Sequence, residues 1–344
     1  MPKLVRAAVL ARYLEVTQDL GFNPCDAMNV VGLNKAQLRA PENRIPIDSA
    51  VRLLEATAVA SGCKTLGLRM AEARQLSDFG AVSLLLSQQR TLREAFEVME
   101  HYRHLMNDSL GIFVEEAGKM VIIRAEMVTE SLLPSRQASE LVIGALFGLC
   151  STLLGAQWRP YSVNFMHQPP ENLHLHRRLF DCNLEFGSDF NGIVCSDASL
   201  DMVNANADSA MASYARNYID SLQGDKNTSL LFEVRKAIYL LLPMGRATIE
   251  QIAQHQGMNV RTLQRRLKDH GCAFSDLIND VRRALVLRYL ENPNQSLSHI
   301  ADMFGFTMAS SFTRWFINQF GMPPAVWRSA QKQPGSDAAA SRSF

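Results

Sequence analysis

The feature that most constrains this chain is an approximate repeat near its C-terminus. The segment 252–257 (Ile-Ala-Gln-His-Gln-Gly) recurs 48 residues later as 300–305 (Ile-Ala-Asp-Met-Phe-Gly). Beyond each glycine, Leu-Gln-Arg-Arg-Leu at 263–267 is matched by Phe-Thr-Arg-Trp-Phe at 312–316. A recurring segment of this kind indicates two copies of one supersecondary unit.

Each copy has the pattern of a helix-turn-helix motif. The Ile-Ala pair faces inward on a first helix, the small Ala lets a second helix cross closely, and the glycine makes the turn. Asn259 and Thr307 lie where the second helix needs an N-cap. The large apolar residues of the second helix are spaced i, i+4 and face the core. We therefore predict two helix-turn-helix motifs, separated by an apolar linker helix over Phe274–Glu291.

Polar side chains on each second helix are predicted to point away from the core. Arginine and glutamine donate hydrogen bonds to guanine or adenine edges in the major groove, and threonine can contact a thymine methyl group. One such helix pair would also suit a structural bundle, whereas two in tandem are more specific for DNA. The outward residues are Arg261, Gln264 and Arg265 in the first copy and Ser310, Thr313 and Arg314 in the second.

Charge is divided unevenly along the 344 residues, although the formal net charge is only +1. Residues 225–330 contain 13 Lys and Arg against 8 Asp and Glu, whereas residues 1–224 contain 20 against 25. A basic part that follows an acidic part indicates that only the last part meets a polyanion. Chance segregation would give the same numbers, so charge alone does not decide the partner.

The chain is predicted to contain two domains and a tail. Its length is about twice that of a usual domain, and the polar stretch 223–228 suits a boundary. Residues 225–332 show no strand pattern and are predicted to be all-α, with both motifs joined by the linker helix. Residues 333–344 have too few large apolar groups to pack, so we predict a disordered tail.

Residues 1–224 are predicted to form an α+β domain. A helix is expected over 4–21, and Thr91 with Glu94 three residues later marks the start of another. Residues 110–127 have the pattern of a β-hairpin with a turn at Glu116-Ala117-Gly118. Further strands are expected at 161–166 and as a short pair within 184–194.

The repeat resembles the DNA-binding domain of AraC/XylS-type bacterial transcription regulators over residues 248–328. Residues 1–224 are similar to the arabinose-binding-like N-terminal domain of ornithine-utilisation-type regulators in that family. The C-terminal match is carried by Ile252-Ala253, Leu263-Gln264-Arg265-Arg266-Leu267-Lys268, Gly271, Ile300-Ala301-Asp302, Gly305-Phe306, Ser311-Phe312-Thr313-Arg314, Phe316, Phe320-Gly321 and Pro323-Pro324. The N-terminal match is carried by Gly80, Leu84-Leu85-Leu86, Thr91-Leu92-Arg93-Glu94-Ala95, Phe180, Phe186 and Asp189-Phe190-Asn191-Gly192.

The resemblance implies seven helices that carry two helix-turn-helix motifs, whose second helices enter successive major-groove turns on one face of DNA. Ala309 departs from the more polar versions of the family because it cannot hydrogen-bond a base, so the second motif is expected to contribute more positioning than readout. The orientation of the bulky Trp315 is left open. Carried over by position, the base-facing residues are Arg261, Gln264, Arg265, Ala309, Ser310, Thr313 and Arg314.

Other chemistry has little support in the sequence. His101 and His104 lie on adjacent helical turns without a carboxylate or cysteine at metal-ligand spacing, and His167, His174 and His176 form only a loose group. Phosphate loops, nucleophile elbows and zinc-protease motifs are missing from the sequence. We expect no catalytic residue, no metal site and no cofactor.

Membrane insertion and export are also not expected. The sequence has no run of eighteen apolar residues and no signal peptide, and its six cysteines are far apart. This pattern predicts a cytoplasmic protein with reduced thiols and no membrane partner.

The first hypothesis is therefore a sequence-specific transcription regulator that binds double-stranded promoter or operator DNA. In it, residues 1–224 sense a small-molecule effector that controls DNA binding or activation, and the hypothesis admits a homodimer and RNA polymerase as further partners. The alternatives are an N-terminal enzyme, or an N-terminal domain that only recruits partners. A ligand-induced change in DNA affinity would distinguish the first hypothesis from the last.

Overall fold

The computed structural model describes residues 3–129, 135–155, 158–222 and 229–331. Contacts divide the chain into two compact units, an N-terminal unit that ends at Phe232 and a C-terminal unit that begins at Glu233. The boundary predicted at residue 224 and the tail predicted for residues 333–344 lie outside the described residues.

The N-terminal unit contains both helices and sheets, which confirms the predicted α+β class. Its helices are α1 (Tyr13–Asp19), α2 (Cys25–Val30), α3 (Lys35–Arg39), α4 (Ile47–Ser61), α5 (Leu66–Ala73), α6 (Val82–Leu86), α7 (Leu92–His101), α8 (Arg103–Met106), α9 (Arg136–Leu154), α10 (His174–Phe180) and α11 (Ser209–Ser221). Its strands are β1 (Leu4–Arg6), β2 (Arg44–Pro46), β3 (Leu110–Ala117), β4 (Met120–Met127), β5 (Ser162–Phe165), β6 (Asn183–Phe186) and β7 (Gly192–Ser196).

The main sheet has five strands in the order β3-β4-β7-β5-β6. The hairpin predicted over 110–127 is present as β3 and β4, with Ala117 paired to Met120. The two short strands predicted within 184–194 are also present, but they are not paired with each other. Instead, β6 runs parallel to β5, and β7 lies between β4 and β5 with antiparallel pairing on both sides.

The helix predicted over 4–21 is wrong in its first part. Residues Leu4–Arg6 form β1, which pairs antiparallel with β2 and places Val5 opposite Ile45. Both of these side chains are buried. A short 3-10 helix at Ala7–Leu10 follows before α1 begins. The pairing partner lies far along the chain, so local periodicity does not reveal this strand.

Two apolar clusters form the interior of the N-terminal unit, and α9 contributes to both. Ile143 and Leu149 belong to the cluster against the five-stranded sheet, and Ala138 and Leu141 belong to the cluster formed with α1, α4 and α5. By length and composition α9 is long and apolar enough to cross a membrane, the single such helix in the described part of the chain. However, 83% of this stretch is buried inside the protein, which is the environment of a core helix.

Helices α5 and α9 approach each other closely because glycines line their contact. A Cβ atom at Gly67 would lie 2.0 Å from the carbonyl oxygen of Gln137. A Cβ atom at Gly144 would lie 2.5 Å from the Cβ atom of Ala71. Neither distance is compatible with a side chain at the present helix separation, so both positions require glycine.

The described part of the C-terminal unit contains helices and no strand, which confirms the predicted all-α class. The linker helix has the predicted bounds. The helices are α12 (Leu230–Leu241), within which the unit begins, α13 (Ile249–His255), α14 (Val260–Asp269), α15 (Phe274–Glu291), α16 (Leu297–Met303), α17 (Ala309–Phe320) and α18 (Pro324–Gln331).

Candidate functional site

The first helix-turn-helix motif consists of α13, a turn at Gly257 and α14. Gly257 has φ +63°, a left-handed conformation that favours glycine. As predicted, Asn259 caps α14, and its Oδ1 accepts a hydrogen bond from the backbone N–H of Thr262 at 2.8 Å. Leu263 and Leu267 are buried. The inner face of α14 is thus fixed by packing, which determines which side chains face outward.

The outer face of α14 carries a row of exposed polar side chains. Arg261, Gln264 and Arg265 are exposed and lie opposite the two buried leucines, at about 100° of rotation per residue. Lys268 is also exposed and extends the row by one turn. None of these four side chains makes a hydrogen bond or ion pair with another residue in the described ranges. The row can therefore donate hydrogen bonds to an external partner without breaking internal ones.

The second motif consists of α16, a turn at Gly305 with φ +75°, and α17. Ser310 and Arg314 are exposed and lie one turn apart, and Ala309 is exposed in the first turn of α17. Thr313 is half-buried, and its hydroxyl donates to the carbonyl oxygen of Ala309 at 3.0 Å. Since that hydroxyl is engaged, the second motif presents fewer free polar groups than the first.

The predicted N-cap at Thr307 is wrong. The N-cap residue of α17 is Met308, whose side chain makes no capping hydrogen bond and is 63% exposed. The first turn of α17 therefore has backbone N–H groups that no side chain caps, beside an exposed apolar side chain. This arrangement differs from the first motif, where Asn259 caps the helix.

Trp315, whose orientation the sequence left open, packs against other aromatic side chains. Its ring centroid lies 5.5 Å from that of Phe306 and 6.2 Å from that of Phe312. It is half-buried, and Phe312 and Phe316 beside it are buried. Trp315 therefore belongs to the packing of the second motif and not to its exposed face.

The linker helix α15 is attached to the second motif by Arg282. The Cζ atom of Arg282 lies 4.8 Å from the ring centroid of Phe306. Burial lowers the pKa of this guanidinium. From the sequence, Arg282 was one of several arginines of α15 expected to be available on its surface; the structure instead places it against the turn of the second motif. Because α15 spans about 27 Å at 1.5 Å per residue, this contact fixes the position of the second motif along the helix.

A second candidate site is a cavity in the N-terminal unit, which no sequence pattern indicated. It lies where the two apolar clusters meet and offers about 60 Å³ to the centres of water-sized molecules. One water molecule needs roughly 10–15 Å³ on the same measure. The apolar lining includes Met99, Met106, Ile112, Met127, Leu141 and Leu146. The polar lining comes from Arg6, Arg74, Asp78 and Asn107.

Two of the histidines that form a loose group in the sequence converge in the structure on one buried carboxylate. The Nε2 atom of His176 lies 3.1 Å from Oε1 of Glu140, and that of His167 lies 3.5 Å from it. Nε of Arg136 also donates to this oxygen at 3.0 Å. No metal-binding group of three or more His, Cys, Asp or Glu occurs in the described ranges. The cluster holds α9, α10 and the end of β5 together by charge and hydrogen bonds.

Comparisons with known proteins agree with this architecture. Residues 21–204 match the family described as the arabinose-binding domain of AraC transcription regulator, N-terminal, and residues 235–330 match a helix-turn-helix domain family. The HTH-type transcriptional regulator VirS of Mycobacterium tuberculosis is 28% identical over 327 residues, which cover 94% of this chain and 96% of VirS. The ornithine utilization regulator of Pseudomonas aeruginosa is 24% identical, with 95% of this chain and 97% of that protein covered.

Among solved structures, the crystal structure of the transcriptional regulator CdpR from Pseudomonas aeruginosa matches with a TM-score of 0.43 and 18% identity. The match covers 91% of this chain and 98% of the CdpR chain. The N-terminal family match alone spans more than half of the chain. The chain belongs to the AraC family of DNA-binding transcription regulators, with an arabinose-binding-type N-terminal domain and a helix-turn-helix C-terminal domain.

Proposed function

We propose that this AraC-family regulator recognises a specific double-stranded promoter or operator site with α14 and α17, and that a small-molecule effector controls its DNA binding or its activation of transcription. The observation that carries the DNA-binding part is the row of exposed side chains on α14, which have no internal partners. Guanidinium and amide groups held on a packed helix match the donors and acceptors of base edges in the major groove.

The two motifs are assigned different shares of recognition. In the first, Arg261, Gln264 and Arg265 contact bases, and Lys268 contacts a phosphate. In the second, Arg314 is the principal donor, since the hydroxyl of Thr313 is already bonded within the helix. The methyl group of Thr313 then remains to contact a thymine methyl. The full set of base-facing residues proposed is Arg261, Gln264, Arg265, Ala309, Ser310, Thr313 and Arg314.

The N-terminal part is proposed to sense the effector in its cavity. In this proposal residues 1–224 bind the effector and form a homodimer, residues 225–332 bind DNA, and residues 333–344 are a disordered tail. RNA polymerase is a further partner at the promoter, the protein acts in the cytoplasm, and the N-terminal part has no enzymatic activity. Support comes from the full-length relatives, which are named as regulators over almost their whole length.

Selection from a library of random duplexes tests the DNA-binding part. Full-length protein should enrich one motif, and its affinity for that motif should exceed its affinity for a shuffled duplex by about 1,000-fold or more at fixed salt. Binding that depends only on salt and never on sequence would contradict the assignment of base-contacting residues.

The effector part needs a separate measurement on the selected duplex. Small molecules that raise the melting temperature of the full-length protein are tested for their effect on its DNA affinity and on transcription from a promoter carrying the site. A change in either supports control by an effector. Ligands that bind the cavity and change neither would favour an N-terminal domain that only recruits partners.

A further inference from the structure

The cations that line the cavity differ in how they are paired. Nε of Arg6 donates to Oε2 of Glu42 at 2.7 Å, and its Nη2 donates to the other carboxylate oxygen. Arg12, which lies just outside, donates to both oxygens of Asp78 at 3.1 and 3.3 Å. These two arginines each have a carboxylate at contact distance, so their charges are compensated within the protein.

Arg74 lacks such a partner. Its Nη2 donates to the carbonyl oxygens of Ala8 and Val9 at 2.5 and 3.2 Å. Within the described ranges it makes no ion pair, and its buried Nε has no hydrogen-bond acceptor. Burial lowers the pKa of Arg74 to about 10, a value at which the guanidinium still carries its proton at neutral pH. An unpaired buried cation is costly, and an anion beside it would remove much of that cost.

Asp78, the acidic residue of the lining, is not available in the same way. Its Oδ2 accepts from Nε of Arg12 and from the backbone N–H of Gln75 at 2.9 Å, and its Oδ1 accepts from Nη2 of Arg12. A cationic ligand would therefore compete with Arg12 for Asp78 while lying close to the charge of Arg74. The charge balance of the lining favours an anion over a cation.

We infer that the cavity binds a compact monocarboxylate with an apolar body, and that Arg74 receives its carboxylate group. This inference rests on the proposed function, in which the N-terminal unit binds a small-molecule effector. A guanidinium matches a carboxylate with parallel N–H donors. The methionine, leucine and isoleucine side chains opposite would receive the hydrocarbon body.

Asn107 supplies a further donor to the same cavity. Its Oδ1 accepts from the backbone N–H of Ser109 at 3.0 Å, while its amide nitrogen has no acceptor in the described ranges. The small volume of the cavity excludes a long chain unless the walls move. We therefore choose hexanoate as the probe and hexanamide as its neutral counterpart, because the two have nearly the same shape and differ in charge.

Calorimetric titration of the full-length protein with each probe, at matched ionic strength, tests the inference. Hexanoate is expected to bind at least about tenfold more tightly than hexanamide, since hydrogen bonds to a charged group are stronger than neutral ones. Arg74→Gln should weaken hexanoate binding by about tenfold to a hundredfold and leave hexanamide binding nearly unchanged. Arg69→Gln is the control, because Arg69 is exposed and lies on α5, the helix that precedes Arg74.

The inference is overturned if hexanamide binds as tightly as hexanoate, or if neither hexanoate, butyrate nor benzoate binds. Equal hexanoate affinity in a folded Arg74→Gln variant would overturn it as well. The comparison of the two probes on the unmodified protein remains decisive even if Arg74→Gln fails to fold. Binding of the selected duplex is measured on the same samples, so a wrong ligand class is distinguished from a failure of the proposed regulatory function.

Discussion

The Nε atom of Arg282 donates a hydrogen bond to the carbonyl oxygen of Phe304, 3.1 Å away. Arg282 lies on the linker helix α15 and Phe304 in the turn of the second motif, where its side chain is fully buried. Tyr289, also on α15, packs edge-on against Phe304 with ring centroids 5.4 Å apart. The linker helix therefore holds the turn of the second motif by backbone, ring and charge contacts together.

Replacing Arg282 should destabilise the C-terminal unit more than replacing its neighbour. Arg282→Leu removes the donor to Phe304 and the cation–π contact with Phe306, with an expected loss of about 1–3 kcal/mol in the free energy of unfolding. Arg283→Leu is the matched control, since Arg283 is exposed and pairs only with Asp280, so a change below about 0.5 kcal/mol is expected. Urea denaturation of both variants measures the difference. Equal losses would mean that the Arg282 contact contributes nothing specific.

DNA affinity should depend on one arginine in each motif. Arg265→Ala and Arg314→Ala should each weaken binding to the selected duplex by about 1–3 kcal/mol and relax the base preference at one position. Arg69→Ala, an exposed arginine of the N-terminal unit, should leave the affinity unchanged. Fluorescence anisotropy titrations at fixed salt make the comparison. Unchanged affinity in both motif variants, with folding intact, would refute the base contacts.

The same substitution at two glycines of α9 should have opposite effects. Gly144→Ala places a methyl group 2.5 Å from the Cβ atom of Ala71 and should destabilise the N-terminal unit by about 1–3 kcal/mol. Gly148→Ala meets no atom within 4 Å and should stabilise the helix by up to about 1 kcal/mol, because alanine has the higher helix propensity. Thermal denaturation of the two variants gives the sign of each. A stabilising Gly144→Ala would contradict the close packing of α5 and α9.

Acid should remove a contribution from Glu140. Burial alone would raise the pKa of this carboxyl, but the hydrogen bond with His176 and the charges of Arg136 and His167 lower it below its ordinary value of 4.5. A carboxyl with a lowered pKa in the folded state stabilises the protein fully above the unfolded-state pKa, and this contribution is lost as the pH falls through the folded-state pKa.

Glu140→Gln therefore should cost more stability at about pH 7 than at about pH 4, where the wild-type carboxyl begins to lose its advantage. Urea denaturation of both proteins across this range measures the gap in the free energy of unfolding. A gap that stays constant with pH would show that the charge of Glu140 is not what stabilises the cluster.

The sequence predicts elements whose signals are local and periodic. The bounds of α15 and the cap at Asn259 follow from apolar spacing and turn residues, and the structure has them where they are expected. The strand β1 is missed because its stability comes from pairing with β2, so that Val5 is buried against a distant segment. Thr307 is a better capping residue than Met308, yet tertiary packing begins α17 one residue later.

The site residues divide in the same way. The exposed row on α14 follows from the position of Leu263 and Leu267, which any helix of this sequence would bury on the opposite face. Arg74 has no comparable signal, since its special property is the lack of a carboxylate nearby, and that depends on how Arg6 and Arg12 are paired. The convergence of His167 and His176 on Glu140 likewise requires three elements to meet.

The central claim is that one chain recognises two adjacent major-groove segments through motifs held at fixed spacing by α15, and a spacing change in the selected duplex tests it most directly. Full-length protein should protect two segments about 10 base pairs apart on one face of the DNA. Insertion of five base pairs between them turns one segment to the opposite face, and affinity should fall by at least about tenfold. The same insertion outside the protected segments serves as control. Unchanged affinity for the duplex with the inner insertion would contradict the claim.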